Sequence, residues 1–396
     1  MNCLKLKDYF YWIGIQDAQL RVFDIIMETK FGTTYNSYLL KTNEGVVLFE
    51  TAKAKFFDDY LEKIQEYCNI EEISYIIVEH TEPDHSGSIE RLLELNPNIT
   101  IVSTMIAANY LKEITNKEFN SKIVKDNEEM TIGEYSFKFL SVPNLHWPDT
   151  MYTYIKELNT LVTCDSFGAH YAHDGVLLST VENKADYQEA LDYYFNMILG
   201  PFKPFMLKAL KKIEGLTIDM IAPGHGPVLD QEIKEIQEHY YKLCQPKPDH
   251  QPKVVIPFVS AYGYTQTMAE TIAEVLKDNG IEVAIYDLTE ADRDHVITKM
   301  KQADGIMYGC PTLLNDALPP IYDVMNSIIT AYDGVKVVSA FGDYGWTGEA
   351  VGNMMTRLKQ QKHKIVDEGY RVKFKPSDKQ IEEIKAYALN FAEHLK

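Results

Sequence analysis

Residues 75–87, YIIVEHTEPDHSG, carry the strongest structural and chemical signal in the chain. The first four residues form a short apolar run that is typical of a buried strand, and ligand-type side chains follow directly after it. His80, Glu82 and Asp84 stand at alternate positions, so in an extended segment they would project to one side. His85 adds an imidazole where the chain turns toward a helix. The segment therefore predicts a strand that ends in a metal-binding loop.

Three more ligand-type residues follow strand-like runs elsewhere in the first half of the chain. His146 lies in NLHWP, Asp165 in TCD and His225 in APGHG. With the first four residues they make four imidazoles and three carboxylates, which is enough for two metal ions. Two divalent cations balance three carboxylates and one bridging hydroxide, so the charges also fit. The residues favour a binuclear site.

Length, composition and charge exclude several classes of protein. The chain has 396 residues, 45% of them hydrophobic and 24% charged, which predicts two to three globular domains. Its formal net charge of −19 makes it a poor binder of nucleic acid and of anionic membranes. Its apolar stretches are far shorter than the ~20 residues of a membrane span, and its first residues lack a signal-peptide pattern. The sequence predicts a cytoplasmic protein with no nucleic-acid or membrane partner.

The cysteines limit the kinds of metal site. Five cysteines are scattered along the chain with no C-x-x-C pair among them. This pattern excludes a disulfide scaffold, a zinc ribbon, a rubredoxin-type site and an iron–sulfur cluster held by local thiolates. Sulfur is therefore not the main ligand of any metal that the chain binds.

A proline-rich segment, QPKPDHQP at 245–252, predicts a semi-rigid connector between two domains. Residues 1–244 contain short strand-like runs, turns and helical patterns, which predict an α+β or α/β sandwich. In residues 253–396 strands and helices alternate through five βα units. This alternation predicts a doubly wound parallel sheet whose ligand crevice lies beyond the carboxyl ends of its strands.

Three strand-to-helix loops of the second half carry the candidate cofactor-binding residues. The first loop has neither a dinucleotide nor a P-loop fingerprint, but its hydroxyls at a helix start suit a single phosphate. The third loop sets aromatic side chains among glycines, which suits a planar ring, and the second could form the opposite wall. The candidates are Ser260, Tyr262, Gly263, Tyr264 and Thr265, then Pro311, Thr312, Leu313, Leu314 and Asn315, then Phe341, Gly342, Asp343, Tyr344, Gly345 and Trp346.

These three loops together resemble flavodoxin, which implies FMN as the ligand. The alternative is a ligand-free domain of the response-regulator type, in which the glycines form turns and the aromatic side chains lie at the surface.

The pattern H-x-E-x-D-H at 80–85 resembles the metallo-β-lactamase superfamily, whose usual pattern is H-x-H-x-D-H and whose fold is an αββα sandwich. Glu82 replaces the second histidine, and this harder oxygen ligand favours iron over zinc. Joined to a flavodoxin-like half, this substitution resembles the flavodiiron proteins, or A-type flavoproteins, over essentially the whole chain. The resemblance implies one iron on His80, Glu82 and His146, a second on Asp84, His85 and His225, and a bridge through Asp165.

The same resemblance implies an activity. Two ferrous ions and reduced FMN hold four electrons, enough to reduce O₂ to two waters, and two NO need two electrons to become N₂O and water. The expected substrates are O₂, NO or both. The family implies a head-to-tail homodimer or a tetramer, and an external electron donor such as rubredoxin. Candidates that orient the ligands or pass protons are His170, Tyr193 and Tyr194.

Two functions of other classes remain open at this point. A binuclear zinc hydrolase of the metallo-β-lactamase type would use the same ligands to activate water. A non-catalytic flavin electron carrier would explain the second half and leave the seven ligand-type residues without a role.

Overall fold

The computed structural model describes residues 3–25, 27–245 and 250–395. The chain divides into two compact units, Met1–Gln245 and Pro246–Lys396. The connector expected at 245–252 stays a prediction, because residues 246–249 lie outside the described residues. Within the described ranges, no helix combines the length and the apolar character that crossing a bilayer requires.

The first unit is built from short strands and helices. Its strands are β1 (Leu4–Lys7), β2 (Phe10–Trp12), β3 (Ile15–Asp17), β4 (Val22–Phe23), β5 (Met27–Glu28), β6 (Thr33–Tyr35), β7 (Tyr38–Thr42), β8 (Gly45–Phe49), β9 (Ile73–Ile77), β10 (Thr100–Ser103), β11 (Asn120–Ile123), β12 (Glu129–Ile132), β13 (Tyr135–Ser141), β14 (Met151–Ile155), β15 (Thr160–Cys164) and β16 (Met220–Pro223). Its helices are α1 (Phe57–Gln65), α2 (Pro83–Ser86), α3 (Ile89–Leu95), α4 (Met105–Thr115), α5 (Lys184–Tyr194), α6 (Lys203–Ile213) and α7 (Ile233–Cys244).

Two mixed sheets form the centre of this unit. The larger has the strand order β1-β2-β7-β8-β9-β10-β11 and the smaller has the order β12-β13-β14-β15-β16. Strands β8, β9, β10 and β11 are parallel neighbours, and so are β15 and β16. The carboxyl ends of parallel neighbours meet at one edge of a sheet, which is where loops with functional side chains can converge.

Three apolar clusters explain the layering. Phe49 and Trp12 of the larger sheet pack with Phe137 and Val162 of the smaller one between the two sheets. The opposite face of the larger sheet packs against α1 and α3, and that of the smaller sheet against α5, α6 and α7. Each sheet thus buries both faces, and the predicted αββα sandwich is confirmed.

β6 and β7 do not form one continuous strand. β6 ends at Tyr35 and β7 begins at Tyr38. Between them Asn36 leaves the strand direction, because its side-chain amide donates to the carbonyl oxygens of Pro223 and Gly226 at 2.8 and 2.9 Å. This interruption fixes the first sheet to the loop that carries His225.

The segment 80–86 is not extended throughout, so the alternation expected for Asp84 is wrong. Pro83–Ser86 forms the helical turn α2, with Pro83 at its first position, where a missing N–H costs no hydrogen bond. Asp84 and His85 therefore project from a helical turn, and His80 and Glu82 from the loop before it.

The second unit has the predicted doubly wound parallel sheet. Its strands are β17 (Lys253–Phe258), β18 (Glu282–Asp287), β19 (Gly305–Gly309), β20 (Val337–Tyr344), β21 (Lys364–Ile365) and β22 (Tyr370–Lys373). Its helices are α8 (Tyr264–Asp278), α9 (Arg293–Gln302), α10 (Pro319–Asn326), α11 (Thr330–Asp333), α12 (Glu349–Gln360) and α13 (Asp378–Glu393).

The strand order of this sheet is β18-β17-β19-β20-β21, with β22 paired to β20, and every pairing is parallel. Apolar clusters cover both faces of the sheet. The chain order of the strands changes direction at β17, which lies between β18 on one side and β19 on the other. This switch point places a ligand crevice at the carboxyl ends of β17, β19 and β20.

Candidate metal centre and ligand pocket

The structure brings all seven predicted metal-ligand residues together in two adjoining clusters. In the first, His80, Glu82, His146 and Asp165 each place one ligand atom within 4.8 Å of the others. In the second, Asp84, His85 and His225 do the same. All seven follow the carboxyl ends of strands or start a helix there, as the sequence pattern predicts.

Asp165 joins the two clusters because its two carboxylate oxygens face different ones. Its Oδ2 lies 3.4 Å from Nε2 of His146 and 3.6 Å from Nε2 of His80. Its Oδ1 lies 3.1 Å from Nε2 of His85 and 3.6 Å from Nε2 of His225. One carboxylate placed in this way can bridge two cations.

The remaining distances complete each cluster. Oε2 of Glu82 lies 2.8 Å from Nε2 of His146 and 3.4 Å from Nε2 of His80. Oδ2 of Asp84 lies 3.1 Å from Nε2 of His225 and 3.5 Å from Nε2 of His85. Every imidazole thus turns Nε2 toward the carboxylates.

The electrostatics of the clusters favour positive charge. Burial alone would raise the pKa of Asp165, but His85, then His80 and His146, outweigh it and hold that pKa well below its usual range. Burial would lower the pKa of His80, yet Asp149 and Glu82 raise it to about 10. Both oxygens of Asp84 and Oδ2 of Asp165 are buried, and none of the described residues donates a hydrogen bond to them. Such carboxylates are costly unless a cation balances them.

Hydrogen bonds orient the imidazoles from behind. Nδ1 of His225 donates to the carbonyl oxygen of Thr34 at 2.6 Å, which leaves Nε2 free as a ligand atom. Nδ1 of His80 lies 3.3 Å from Oδ1 of Asp149, and Oδ2 of that carboxylate accepts from the N–H and hydroxyl of Thr81, each at 2.8 Å. These contacts set the tautomer and the ring direction of two ligands.

Glu50 supports the centre through the backbone and through His85. Its carboxylate accepts the N–H groups of Glu79 and His80, and it lies 3.7 Å from Nδ1 of His85. Burial, followed by repulsion from Glu79, raises the pKa of Glu50 well above its usual value. Sequence reasoning missed both Glu50 and Asp149. Glu50 follows directly after a strand, so the placement that singled out the other residues could have found it.

The three candidates for orienting ligands or passing protons differ in position. The hydroxyl of Tyr194 donates to Oδ1 of Asp165 at 2.8 Å. His170 is buried beside Tyr194 and His225, with Nδ1 2.8 Å from the hydroxyl of Thr33. Burial, followed by repulsion from His225, lowers the pKa of His170 well below its usual value, so its ring is neutral. Tyr193 does not join them, since its side chain is 38% exposed and turned toward the backbone of Glu28.

A separate pocket lies in the second unit at the carboxyl ends of β17, β19 and β20. Ten of the predicted cofactor-binding residues line it, and it also includes Ala261, Thr347 and Phe374, which the sequence analysis missed. Phe374 follows directly after β22, so the same strand-end placement could have found it. The predicted residues in the lining are Tyr262, Tyr264, Pro311, Thr312, Leu313, Leu314, Asn315, Asp343, Gly345 and Trp346.

The other six predicted residues lie outside this lining. Ser260 accepts the N–H of Gln266 at the start of α8, and Thr265 contacts Asp343. Phe341, Gly342 and Tyr344 belong to β20. Gly263 precedes α8 with a φ of +82°, a left-handed conformation that suits glycine.

Comparisons with known proteins match both units. A family model described as the ODP family β-lactamase matches residues 33–226, and one described as flavodoxin matches residues 256–387. A flavo-diiron protein of Clostridium acetobutylicum is 36% identical, with all of both chains covered. A type A flavoprotein of Rhodobacter capsulatus is 33% identical over 97% of this chain and 90% of its own length.

Solved structures show the same likeness over the whole chain. The rubredoxin:oxygen oxidoreductase of the anaerobe Desulfovibrio gigas aligns with a TM-score of 0.72 at 26% identity, covering 100% of this chain and 98% of the other. A flavodiiron protein of Giardia intestinalis aligns with a TM-score of 0.69 at 26% identity, covering 100% of this chain and 97% of the other.

Proposed function

This chain belongs to the flavodiiron protein family, and from that membership we propose that it is an oxidoreductase that reduces O₂ to water, NO to N₂O, or both. Two irons and FMN would be its cofactors. The two adjoining ligand clusters that share Asp165 are the observation that carries the proposal.

The proposed iron ligands are the seven residues of these clusters. His80, Glu82 and His146 would hold one iron, Asp84, His85 and His225 the other, and Asp165 would bridge them. The oxygens of Asp84 and Oδ2 of Asp165, which have no donor among the described residues, fit this role, because a bound cation balances the charge of a buried carboxylate. Mixed carboxylate and imidazole ligands suit iron better than an imidazole-rich set would.

FMN fits the pocket of the second unit. The N-cap residue of α8, Gly263, has no side chain, and Ser260 accepts the N–H of Gln266, so the N–H groups of Tyr264 and Thr265 can meet a phosphate at the positive end of the helix. Trp346 lines the pocket and is 94% exposed, which leaves its ring free to stack on a flavin. The domain limits that we propose are 1–244 for the metal centre and 253–396 for FMN.

The bound cofactors would supply the electrons for these reductions and the open coordination positions that bind a diatomic molecule. The chain's own residues keep that centre ordered. Thr34 and Asp149 hold His225 and His80 in position. Tyr194 keeps its hydroxyl proton and donates a hydrogen bond to Oδ1 of Asp165, since burial and the nearby carboxylate raise the pKa of that hydroxyl well above its usual value.

Electron supply would involve other chains. We propose a head-to-tail homodimer, or a tetramer made of two such dimers, in which the FMN of one subunit serves the irons of its partner. Two exposed apolar surfaces support an interface. One is the pocket rim with Leu314 and Trp346, 97% and 94% exposed, and the other is the surface of Met105 and Tyr110, 57% and 37% exposed. Tyr110 packs on Trp147, which contacts His80.

The electron donor would be an external protein such as rubredoxin. The relative from Desulfovibrio gigas carries that donor in its name. The chain itself has no rubredoxin-type cysteine pattern and no dinucleotide fingerprint.

A visible spectrum and a metal analysis of the purified full chain test the proposal. We expect FMN and about two irons per chain, and Asp165→Asn should lose iron, whereas Asp174→Asn at an exposed position of the same unit should not. Zinc without flavin would instead indicate a hydrolase, and flavin without metal an electron carrier. Consumption of O₂ and of NO with reduced rubredoxin as donor then measures the substrate preference.

A further inference from the structure

The proposed FMN pocket contains an unusual charge. Among the described residues that line it, Asp343 alone has a formally charged side chain, and that charge is negative. The side chain is buried, with 8% of the residue exposed. A ligand with a dianionic phosphate would therefore meet a carboxylate here, with no lysine or arginine among the described lining residues to offset it.

The carboxylate of Asp343 accepts a hydrogen bond from a hydroxyl at the start of α8. Thr265, in the first turn of α8, is fully buried and its hydroxyl donates to Oδ1 of Asp343 at 2.5 Å. The backbone N–H of Asp343 lies 3.4 Å from the same hydroxyl oxygen. The hydroxyl that lies in the first turn of α8 thus points at a carboxylate.

The start of α8 and the carboxylate of Asp343 have opposite effects on phosphate binding. The first-turn N–H groups of α8 and the helix dipole attract an anion, because their donors have no acceptor within the helix. Asp343 repels an anion at short range in a partly desolvated pocket, where screening by water is weak. The pocket therefore attracts phosphate less than its helix start alone would.

We propose that Asp343 sets the selectivity of this pocket by weakening its preference for a flavin that carries a phosphate over one that does not. Contacts to the ring and ribityl chain, which FMN and riboflavin share, then supply most of the affinity. This inference rests on the proposed function, because it presumes a flavin in this pocket.

The test compares two ligands on the flavin-free full chain. Dissociation constants for FMN and for riboflavin are measured by fluorescence titration on the unaltered protein, on Asp343→Asn, and on Asp294→Asn, which removes the same charge at an exposed position of the same unit. Asp343→Asn keeps the side-chain shape and removes the charge. We expect this variant to lower the dissociation constant of FMN at least about tenfold and to change that of riboflavin less than about threefold.

Asp343→Ser provides a second variant that also lacks the charge, in case the asparagine variant fails to fold by circular dichroism. An unchanged ratio of the two dissociation constants in both folded variants would overturn the inference. An equal gain in affinity for FMN and riboflavin would also overturn it. The same gain in FMN affinity in Asp294→Asn would do so as well. If the unaltered chain binds neither flavin, the proposed function itself fails, whereas flavin binding with an unchanged ratio overturns only the inference about Asp343.

Discussion

Single residues give the metal centre its form. Asp165 turns one oxygen to each ligand cluster, and Tyr194 donates to one of those oxygens. Asp149 and Thr34 fix the rings of His80 and His225 from the opposite side. The seven proposed ligands therefore depend on neighbours whose residue types do not by themselves indicate a metal site.

Asp149→Asn tests the support of His80. The amide can still accept from Thr81, but it offers His80 a donor where the ring needs an acceptor. We expect iron affinity to fall by about 10-fold to 100-fold, the usual cost of losing an outer partner of a metal-bound histidine. The measurement is iron content after dialysis against a graded series of chelator concentrations.

Asp174→Asn is the matched control, because it removes an exposed aspartate of the same unit. Equal iron retention in Asp149→Asn and in Asp174→Asn would contradict a role of Asp149 in holding His80.

His363 gives the second unit a dependence on pH. This residue is 6% exposed, and burial, followed by repulsion from Lys336, lowers its pKa from 6.5 to about 4. The folded state therefore prefers the neutral ring. Its stability contribution is complete above about pH 6.5 and is lost as the pH falls toward 4, by up to about 3 kcal/mol.

Urea unfolding at pH 7.5 and at pH 4.5 measures this effect on the transition of the flavodoxin-like unit. We expect His363→Asn to lose less stability than the unaltered chain over this pH range, since asparagine does not titrate and can accept the N–H of Lys336 as His363 does. His295→Asn, at an exposed position, should behave like the unaltered chain. Parallel pH profiles in all three proteins would contradict the assignment.

At the scale of elements, the carboxyl ends of strands supply both candidate sites. β9, β15 and β16 lead to His80, Asp165 and His225, and β17, β19 and β20 lead to the pocket. Two short elements, α2 and a π-helical turn after α5, also position residues of the metal centre. α2 turns Asp84 and His85 toward the second cluster, and α5 ends at Tyr194, where a π-helical turn, Phe195–Leu199, begins.

The last helix, α13, depends on its first turn. Ser377 caps it by accepting the N–H of Gln380, whose side chain returns to the N–H of Ser377. These two reciprocal bonds form a capping box. We expect Ser377→Ala to destabilise the second unit by about 1 kcal/mol, which lowers its Tm by roughly 3 °C. Differential scanning calorimetry measures the change.

Ser377→Thr keeps the capping hydroxyl and should retain most of the stability. A threonine variant as unstable as the alanine variant would show that the hydroxyl does not act as the cap.

At the scale of the whole molecule, each compact unit has its own apolar clusters and one candidate site. The proposed head-to-tail dimer predicts that two inactive chains can complement each other. Asp165→Asn removes the metal bridge from one chain, and Ala261→Glu adds a carboxylate to the pocket lining of the other. After dissociation and reassociation at equal amounts, half of the dimers should be mixed, each with one complete pair of cofactors.

Activity should then return to about a quarter of the unaltered level, because half of the dimers each have one working site of two. The measurement is O₂ consumption before and after mixing, with each variant reassociated alone as control. Mixtures that stay inactive although mass spectrometry detects mixed dimers would contradict electron transfer between subunits.

Much of this organisation could be predicted from local patterns. Ligand types after strand-like runs indicated the seven metal candidates, and the regular alternation after residue 252 indicated the parallel sheet. Such signals are local, because side-chain periodicity and strand ends depend on near neighbours in the chain. The same reasoning was wrong about Asp84, which stands on a helical turn, and it included Tyr193, which lies at the surface.

Other features could be read only from the packed molecule. The grouping of four ligands in one cluster and three in the other, the division of the oxygens of Asp165 and the contacts of Glu50, Asp149 and Thr34 join residues far apart in sequence. Their distances depend on how two sheets and their loops pack, and no short stretch of chain contains that information. Local sequence thus specified the chemistry available to this protein, and tertiary packing specified which groups meet, because hydrogen bonds and coordination require positions accurate to a few tenths of an ångström.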